Sequence, residues 1–359
     1  MRKFCFMLLF ATLTFTSVHA QRFTDALDRG IVALPGTTGN FVSWRRLAEE
    51  YYDVTYNVYR NDVKVASELK ATHFFDTAGD VNSKYKISPV VRGTEQAQSN
   101  EVGRWRYGYL DIKLTDVFDR NQNNVTSHYS PNDAEMADLD GDGDLEIIIK
   151  RLNTVDAANV YPASNTTEFV MLDAYNVNWQ TGAASLMWRI DCGPNMVSLN
   201  STEINIIAYD WDEDGKAEVV LRGADNMIVY GSDGKNVLYT IGDMNVNTRN
   251  TFDPANGSQY AWTHTGAEYL IYMKGDTGGL YWKKDYPLKR LESGETDLNS
   301  AWGDNYGHRS SKYFFGAPVL NGSKASLFLA RGIYTQEKMI AYDIDPQSHE
   351  LTTRWRSWP

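Results

Sequence analysis

The sequence predicts an all-β protein with two parts, a small N-terminal β-sandwich and a larger β-propeller. Three observations lead to this fold class. Residues 21–105 alternate apolar and polar side chains between short turns, residues 106–359 repeat one hairpin pattern, and an acidic turn occurs twice at a spacing of 72 residues, from 138 to 210. At 359 residues the chain is long enough for two domains, each with its own hydrophobic core.

The β-sandwich is predicted from three half-buried strand patterns that are separated by turn residues. They are "NFVSWRR" at 40–46, "YDVTYNVYRND" at 52–62 and "SKYKISPVV" at 83–91. A Trp on an early strand and a Tyr-rich middle strand that ends in a turn resemble the fibronectin type III pattern. We interpret residues 21–105 as a fibronectin-III-like module, which serves as a spacer or docking surface rather than as a catalytic unit.

Repeated hairpins predict the blades of a propeller from residue 106 onward. Each hairpin has an apolar strand, a turn rich in Gly, Asn or Asp, and a second strand with Trp or Tyr. The four hairpins are "FVMLDAYNVNWQTGAASLMWRI" at 169–190, "MIVYGSDGKNVLYTI" at 227–241, "YLIYMKGDTGGLYWKKD" at 269–285 and "KMIAYDIDPQSHELTTRWRSW" at 338–358. Four hairpins indicate about four blades, and the insertions between them are where we expect binding sites.

The repeated acidic turn predicts metal binding. "DLDGDGDLEIIIK" at 138–150 and "DWDEDGKAEVVLRG" at 210–223 place carboxylates two residues apart in front of an apolar strand. The predicted ligands are Asp138, Asp140, Asp142, Asp144 and Glu146 in the first turn and Asp210, Asp212, Asp214 and Glu218 in the second. An EF-hand is excluded, because its twelfth position needs a Glu and here holds Ile149 or Leu221. We expect calcium loops with a structural role, and the alternative is a charged turn without metal.

The first 20 residues have the pattern of a secretory signal peptide. "MRK" is followed by an apolar run and by "VHA" before Gln21, and the run is too short for a membrane span. We expect an exported protein, periplasmic or extracellular.

Loss of Arg2 and Lys3 takes the formal charge from −11 to −13, which argues against a nucleic-acid partner. Cys192 then has no intrachain partner, and its setting indicates a partly buried small residue rather than a nucleophile.

Five segments, in order along the chain, resemble the rhamnogalacturonan lyases of polysaccharide lyase family 11. They are "SPNDAEMADLDGDGDLEIIIK" at 130–150, "WRIDCGPN" at 188–195, "YDWDEDGKAEVVLR" at 209–222, "WGDNYGHR" at 302–309 and "LARGIYTQEKMIAYD" at 329–343. The likeness covers nearly the whole mature chain. An acidic turn alone is unspecific, whereas "WGDNYGHR" and "LARGIYTQ" behind two such turns are specific.

This resemblance implies a calcium-dependent enzyme that cleaves the rhamnogalacturonan I backbone of pectin by β-elimination at galacturonate. It also implies a fibronectin-III-like domain followed by an eight-bladed propeller. Since about four blades are predicted before Pro359, we interpret the chain as the N-terminal part of such an enzyme. The resemblance implies that the catalytic residues lie beyond residue 359, and we expect no lyase activity from this chain alone.

Candidate substrate contacts lie in polar segments beside predicted strands. Asn132 and Asp133 would either line a central groove or cap the start of a strand. Arg309, in a polar loop with two glycines, could pair with a galacturonate carboxylate. Arg331 suggests a sugar-binding corner, with an Arg paired to a neighbouring acid as the alternative, and Lys150 is a weaker candidate. The full set is Asn132, Asp133, Asp304, Asn305, His308, Arg309, Arg331 and Tyr334.

A second function is weighed beside the lyase: a non-catalytic calcium-binding propeller that acts in carbohydrate binding or adhesion. Integrin-like propellers carry similar acidic turns without any chemistry. "WGDNYGHR" and "LARGIYTQ" favour the enzyme, because an adhesin does not need them. The expected partner is a pectic polysaccharide, and the protein is expected to be a monomer with no membrane span.

Overall fold

The computed structural model describes residues 26–154, 168–196, 205–248, 265–304 and 307–357. Residues 1–20, which are predicted to be a signal peptide, lie outside these ranges. The described chain is nearly all β-structure, as the sequence predicts. A short α-helix, α1 (Leu298–Trp302), is capped at its N-terminus by Asp297, whose side chain accepts a hydrogen bond from the N–H of Ser300.

The N-terminal part of the described chain forms two antiparallel sheets. Their strands are β1 (Val32–Pro35), β2 (Asn40–Ser43), β3 (Thr55–Arg60), β4 (Val63–Leu69), β5 (His73–Asp76), β6 (Lys84–Val91), β7 (Thr94–Glu95) and β8 (Val102–Gly103). One sheet has the order β1-β2-β5, and the other has the order β4-β3-β6-β7 with β8 also paired to β6. The chain thus changes from one sheet to the other at three points, after β2, after β4 and after β5.

A small aromatic core lies between these two sheets. Trp44 packs edge-on against Tyr56, with ring centroids 5.5 Å apart, and both side chains are buried. The buried hydroxyl of Tyr85 donates to Asp76 Oδ2 at 2.9 Å and accepts a hydrogen bond from Asn40 Nδ2 at 2.9 Å. The strand alternation that predicts a half-buried sandwich therefore produces a closed core, in which the buried hydroxyl of Tyr85 is paired.

Three larger antiparallel sheets follow. Their strands are β9 (Tyr129–Ala137), β10 (Glu146–Asn153), β11 (Met171–Val177), β12 (Ala184–Asp191), β13 (Ile206–Tyr209), β14 (Glu218–Ala224), β15 (Met227–Tyr230), β16 (Val237–Ile241), β17 (Glu268–Lys274), β18 (Leu280–Asp285), β19 (Tyr313–Gly316), β20 (Leu327–Arg331), β21 (Lys338–Ile344) and β22 (Leu351–Arg356). The sheet orders are β9-β10-β11-β12-β15-β16, β13-β14-β17-β18 and β19-β20-β21-β22.

The predicted hairpins all form, but they do not make four blades. The described residues after 105 hold three sheets, because the hairpin β15–β16 adds to the outer edge of the first sheet, where β15 pairs with β12. Met227 and Val229 on β15 thereby enter the same buried cluster as Trp188 on β12. The prediction of about four blades was wrong here, since the hairpin pattern in a sequence does not say which strand edge the hairpin will cover.

Successive sheets pack face to face through two apolar clusters. The first cluster joins the β9 sheet to the β13 sheet and includes Trp188 and Val219, and the second joins the β13 sheet to the β19 sheet and includes Val220 and Leu329. Adjacent residues 219 and 220 point to opposite faces of β14, so this strand is buried on both sides. The first strands of the sheets also lie side by side, β9 against β13 and β13 against β19.

The N-terminal module contacts the first large sheet directly. The N–H of Asp28 donates to the carbonyl of Gly143 at 2.9 Å, and the N–H of Gly103 donates to Gln180 Oε1 at 3.0 Å. A cavity of about 390 Å³ lies at this contact and is lined in part by Trp105 and Trp179. The first acidic turn, which contains Gly143, is therefore also a point where the two parts of the chain meet.

Candidate metal and substrate sites

The first acidic turn connects β9 to β10 and folds around the carboxylate of Asp138. This carboxylate accepts hydrogen bonds from the N–H groups of Gly141 at 2.7 Å and Gly143 at 2.9 Å. Oxygen atoms of Asp138, Asp140 and Glu146 lie within 4.8 Å of one another. Gly143 has a φ of +92°, a conformation that the tight turn requires and that glycine adopts without strain.

Two of the predicted ligands in this turn lie outside that group. Asp142 and Asp144 border the cavity beside the N-terminal module, together with Asp28. Burial and the nearby charges of Asp28 and Asp142 raise the pKa of Asp144. The structure therefore groups three of the five predicted carboxylates of the first turn.

The second acidic turn, between β13 and β14, repeats the geometry of the first. Asp210, Asp212, Asp214 and Glu218 have oxygen atoms within 4.8 Å of one another, so all four predicted ligands come together. The N–H of Gly215 donates to Asp210 Oδ2 at 2.9 Å. This hydrogen bond corresponds to the one between Gly143 and Asp138 in the first turn.

Burial and mutual repulsion make the ionised form of several of these carboxylates less favourable than it is in water. Burial raises the pKa of Glu146 to about 7 and that of Glu218 to about 8, and nearby aspartates add to each shift. Asp210 is affected in the same way, with its pKa raised to about 6. Converging oxygen ligands that repel one another fit a hard divalent cation, which would neutralise the group and restore the charged form.

The two acidic turns touch each other across the boundary between sheets. The N–H of Ala217 donates to the carbonyl of Asp138 at 2.8 Å. A Cβ atom at Gly141 would lie 3.1 Å from the carbonyl oxygen of Gly215. A cation in either turn would therefore stabilise a contact that fixes one sheet against the next.

The sequence did not indicate His349 as part of this region. Its Nε2 lies 3.0 Å from Asp212 Oδ2, and its ring packs against Tyr281 with centroids 4.0 Å apart. His349 belongs to the turn between β21 and β22, 137 residues from its partner in sequence. No local pattern could have revealed this contact.

Two predicted substrate contacts lie on the first strand of the first large sheet. Asn132 and Asp133 are both exposed on β9. Asp133 Oδ2 lies 3.6 Å from the amine of Lys150 on the neighbouring strand β10. Asp133 and Lys150 line a cavity of about 220 Å³, and Phe314 on β19 also lines it. The sequence ranked Lys150 as a weaker candidate and did not single out Phe314.

Three other predicted residues meet around the loop that follows α1. Both oxygens of Asp304 accept hydrogen bonds within this loop, from the N–H groups of Gly307 and Arg309 at 2.8 Å each. The guanidinium of Arg309 bonds to the hydroxyl of Thr335 and lies 5.7 Å from the ring centre of Tyr334, which is 79% exposed. Asp304 therefore shapes the loop and also lies 3.9 Å from Arg309 Nε, while the Tyr334 ring beside Arg309 is exposed.

His308 is half-buried at the end of the same loop. Burial, together with the positive charge of Lys312, lowers the pKa of its imidazole. The neutral form is therefore favoured near pH 7. Asn305, the remaining predicted residue of this loop, lies outside the described residues.

Arg331 does not face a groove in the described structure. Its side chain has no exposed surface, and its Nη1 lies 2.7 Å from both Glu268 Oε2 and the carbonyl of Leu288. Its Nε donates to the carbonyl of Ser310 at 2.6 Å. The geometry matches the alternative named above, an Arg paired with an acid, and the partner is 63 residues away in sequence.

Glu268 binds two further arginines and was not anticipated from the sequence. Arg222 Nη1 and Arg290 Nη2 each lie 3.1 Å from Glu268 Oε1. Although burial alone would raise it, the charges of these arginines and of Arg331 hold the pKa of Glu268 well below its usual range. The repeat of the acidic turn could have pointed to this region. Arg222 lies four residues after Glu218, just as Lys150 lies four residues after Glu146.

Comparison with known proteins places this geometry in a family context. A model for the C-terminal domain of rhamnogalacturonan lyase family 11 matches residues 109–357, and a model for the β-sheet domain of rhamnogalacturonan I lyases matches residues 22–105. The rhamnogalacturonan exolyase YesX of Bacillus subtilis is 31% identical over 346 residues, which cover 93% of this chain and 50% of the relative. The endolyase YesW of the same organism is 33% identical and covers 94% and 50%.

Solved structures show the same relation. The crystal structure of the exotype lyase YesX superimposes with a TM-score of 0.72 at 31% identity, covering 94% of this chain and 51% of that protein. The family 11 lyase of Bacillus licheniformis gives a TM-score of 0.71 at 34% identity, covering 94% and 53%. This chain thus spans about half the length of the relatives that it matches. On this similarity over nearly its whole length, the chain belongs to rhamnogalacturonan lyase family 11.

Proposed function

We propose that this protein acts in calcium-dependent cleavage of the rhamnogalacturonan I backbone of pectin by β-elimination at galacturonate. The observation that carries the proposal is the pair of acidic turns, each with carboxylate oxygens within 4.8 Å of one another, in a family 11 chain. The relatives are described as rhamnogalacturonan lyases, one exo-acting and one endo-acting.

Calcium is the cation that we assign to both turns. Its usual ligands are carboxylate and backbone oxygens in a flexible arrangement, whereas magnesium requires near-ideal octahedral geometry and retains water. Asp138, Asp140 and Glu146 would hold one ion, and Asp210, Asp212, Asp214 and Glu218 would hold the other. Bound there, calcium would supply charge neutralisation and would fix the contact between sheets.

Substrate contacts are proposed on the exposed polar residues of the described structure. β-Elimination removes the proton beside a uronate carboxylate and expels the oxygen on the next carbon, so an enzyme must hold the carboxylate and orient the ring. Arg309 is placed to pair with a carboxylate, and the exposed ring of Tyr334 beside it offers a stacking face. Because Arg331 is buried against Glu268, we assign it to positioning this region rather than to contact with the sugar.

The architecture supports two finer assignments. The sheet orders β1-β2-β5 and β4-β3-β6-β7 support a fibronectin-III-like sandwich for residues 21–105. Three sheets that pack in succession, with their first strands side by side, support part of a β-propeller for residues 106–359.

Export to the periplasm or to the outside of the cell is proposed from the leader pattern at residues 1–20. Separately, the protein is proposed to be a monomer. Among the described residues, no helix has the length and apolar character needed to cross a membrane.

Binding and elimination are measured together to test the proposal. The protein is titrated with rhamnogalacturonan I in calcium and in chelator, and the unsaturated uronate is followed by its ultraviolet absorbance. Because no lyase activity is expected from this chain alone, calcium-dependent binding supports the proposal, and product formed by this chain would contradict the expectation that the catalytic residues lie beyond residue 359. Equal binding in chelator would remove calcium from the proposal, and no binding in calcium would overturn it.

A further inference from the structure

We infer that His349 is a positioning residue for the cation of the second acidic turn, and that a cation bound there locks the β19 sheet onto the β13 sheet. The inference rests on the calcium assignment in the proposed function and adds a residue outside the ligand set. His349 lies in the turn between β21 and β22, whereas the turn that holds Asp212 connects β13 to β14. The link between these two turns is therefore a contact between two sheets.

The imidazole of His349 contacts one carboxylate oxygen of Asp212. Its Nε2 lies 3.0 Å from Asp212 Oδ2, and the side chains of His349 and Asp212 are 16% and 8% exposed. An ionised carboxylate only accepts hydrogen bonds, so Nε2 is the donor. The other oxygen, Oδ1, accepts a hydrogen bond from the N–H of Asp214 at 3.1 Å. The orientation of Asp212 thus depends both on its own turn and on the β19 sheet, and each oxygen keeps a lone pair for a cation.

The first acidic turn contains a counterpart of this contact. Asp140 has the same place in its turn as Asp212, and its Oδ2 accepts a hydrogen bond from Asn176 Nδ2 at 3.0 Å. In both turns the N–H two residues further along donates to Oδ1 of the same aspartate. Asn176 lies on β11, in the same sheet as the first turn. The repeated pattern indicates that the outer hydrogen bond serves the ligand, and in the second turn its donor comes from another sheet.

Contacts with its own turn and with β18 fix the place of His349. Its N–H donates to the carbonyl of Asp345 at 2.8 Å, and its carbonyl accepts a hydrogen bond from Trp282 Nε1 at 2.8 Å. Its ring packs against Tyr281 with centroids 4.0 Å apart. The residue has a φ of +58°, which is uncommon for a residue with a side chain. These contacts hold the imidazole in one orientation, as is usual for groups that orient metal ligands from outside.

A second polar contact joins the same two sheets but does not involve a predicted ligand. Lys324 Nζ lies 3.0 Å from Glu213 Oε2. Lys324 belongs to the loop between β19 and β20, and Glu213 belongs to the second acidic turn. Glu213 is not among the four carboxylates whose oxygens converge there. Loss of the Lys324 amine therefore removes a contact between the sheets and leaves every ligand in place, which makes it a matched control for loss of His349.

Calcium titration of the chelator-stripped protein by calorimetry tests the positioning role. His349→Ala should weaken one bound ion about tenfold or more, as is typical for loss of an outer contact of a metal ligand. His349→Gln keeps an N–H donor in a similar place and should restore most of the affinity, and Lys324→Met should bind calcium like the wild type. In an Asp212→Ala background, which removes the ion of the second turn, His349→Ala should have no further effect on calcium binding. A residue that only stabilises the fold would not produce this pattern.

Hydrogen exchange tests the lock between the sheets. Amides of β21 and β22 should exchange faster in the wild type once calcium is removed. With calcium present, His349→Ala should already show the faster exchange, and Lys324→Met should not. The inference is overturned if folded His349→Ala binds calcium like the wild type, or if it weakens the ion that remains in the Asp212→Ala background. Equal exchange of these amides in the wild type with and without calcium also overturns it, and this measurement does not require any variant to fold. These results leave the calcium assignment intact, whereas a wild type that binds no calcium overturns both.

Discussion

Removal of the Glu268 carboxylate should destabilise the protein strongly. Glu268→Gln keeps the shape of the side chain but leaves Arg222, Arg290 and Arg331 around a neutral amide in a buried place. Loss of one partner of a buried ion pair costs about 3–5 kcal/mol, because the remaining charge stays desolvated without compensation. The amide oxygen still accepts one of the hydrogen bonds, so we expect a value near the lower end, about 3 kcal/mol.

Urea unfolding at neutral pH measures this loss. With an m-value of about 3 kcal/mol per molar, a loss of about 3 kcal/mol lowers the urea midpoint by about 1 M. Glu350→Gln is the control in the same part of the chain, since Glu350 pairs with Lys284 at the surface and its side chain is 66% exposed. Surface pairs stabilise little, so the control should unfold like the wild type.

The pH dependence gives a second, independent readout. Because the folded pKa of Glu268 lies below its ordinary value of 4.5, the unfolded state binds a proton first as the pH falls. The stabilisation is thus fully present above about pH 4.5 and is lost progressively below it. The midpoint difference between wild type and Glu268→Gln should shrink in that range. An unchanged midpoint for Glu268→Gln at neutral pH would refute the reasoning, as would a difference that stays constant down to about pH 3.

Three further predictions concern the metal, the modules and the core. If the acidic turns hold calcium, chelation should lower the melting temperature, and Asp140→Ala and Asp212→Ala should each remove about one bound ion; unchanged ion counts in both variants by metal analysis would contradict the assignment. Residues 22–105 should fold alone into a β-rich domain that ignores calcium, because their buried cluster is their own; a disordered NMR spectrum of this fragment would show that the boundary is misplaced. Trp188→Ala should destabilise the protein by about 3–5 kcal/mol, because Trp188 is fully buried and donates to the carbonyl of Gly275 at 2.6 Å, and a wild-type urea midpoint would exclude this.

Local sequence patterns were sufficient for the strands of the four hairpins and for seven of the nine carboxylates that were predicted to come together in the acidic turns. Alternating side chains predict a strand through the geometry of its own backbone, and the hairpin at 269–285 forms as β17 and β18. The acidic turns depend on neighbours within nine residues, so Asp210 and Glu218 come together as predicted. Cys192 was predicted to be partly buried, whereas it is fully buried, and burial raises the pKa of its thiol.

Tertiary structure decided which edges pair and which charges are available. The sequence marked Arg331 as a sugar contact and Lys150 as a lesser candidate, and folding buries the first against Glu268 while the second lines a cavity. The hairpin β15–β16 likewise joins β12 instead of forming a blade. In each case the partner lies far along the chain, as Asp212 and His349 do at 137 residues. Desolvation and pairing of a charge depend on such distant groups, so a residue type and its local spacing do not determine whether the charge meets a ligand or the protein interior.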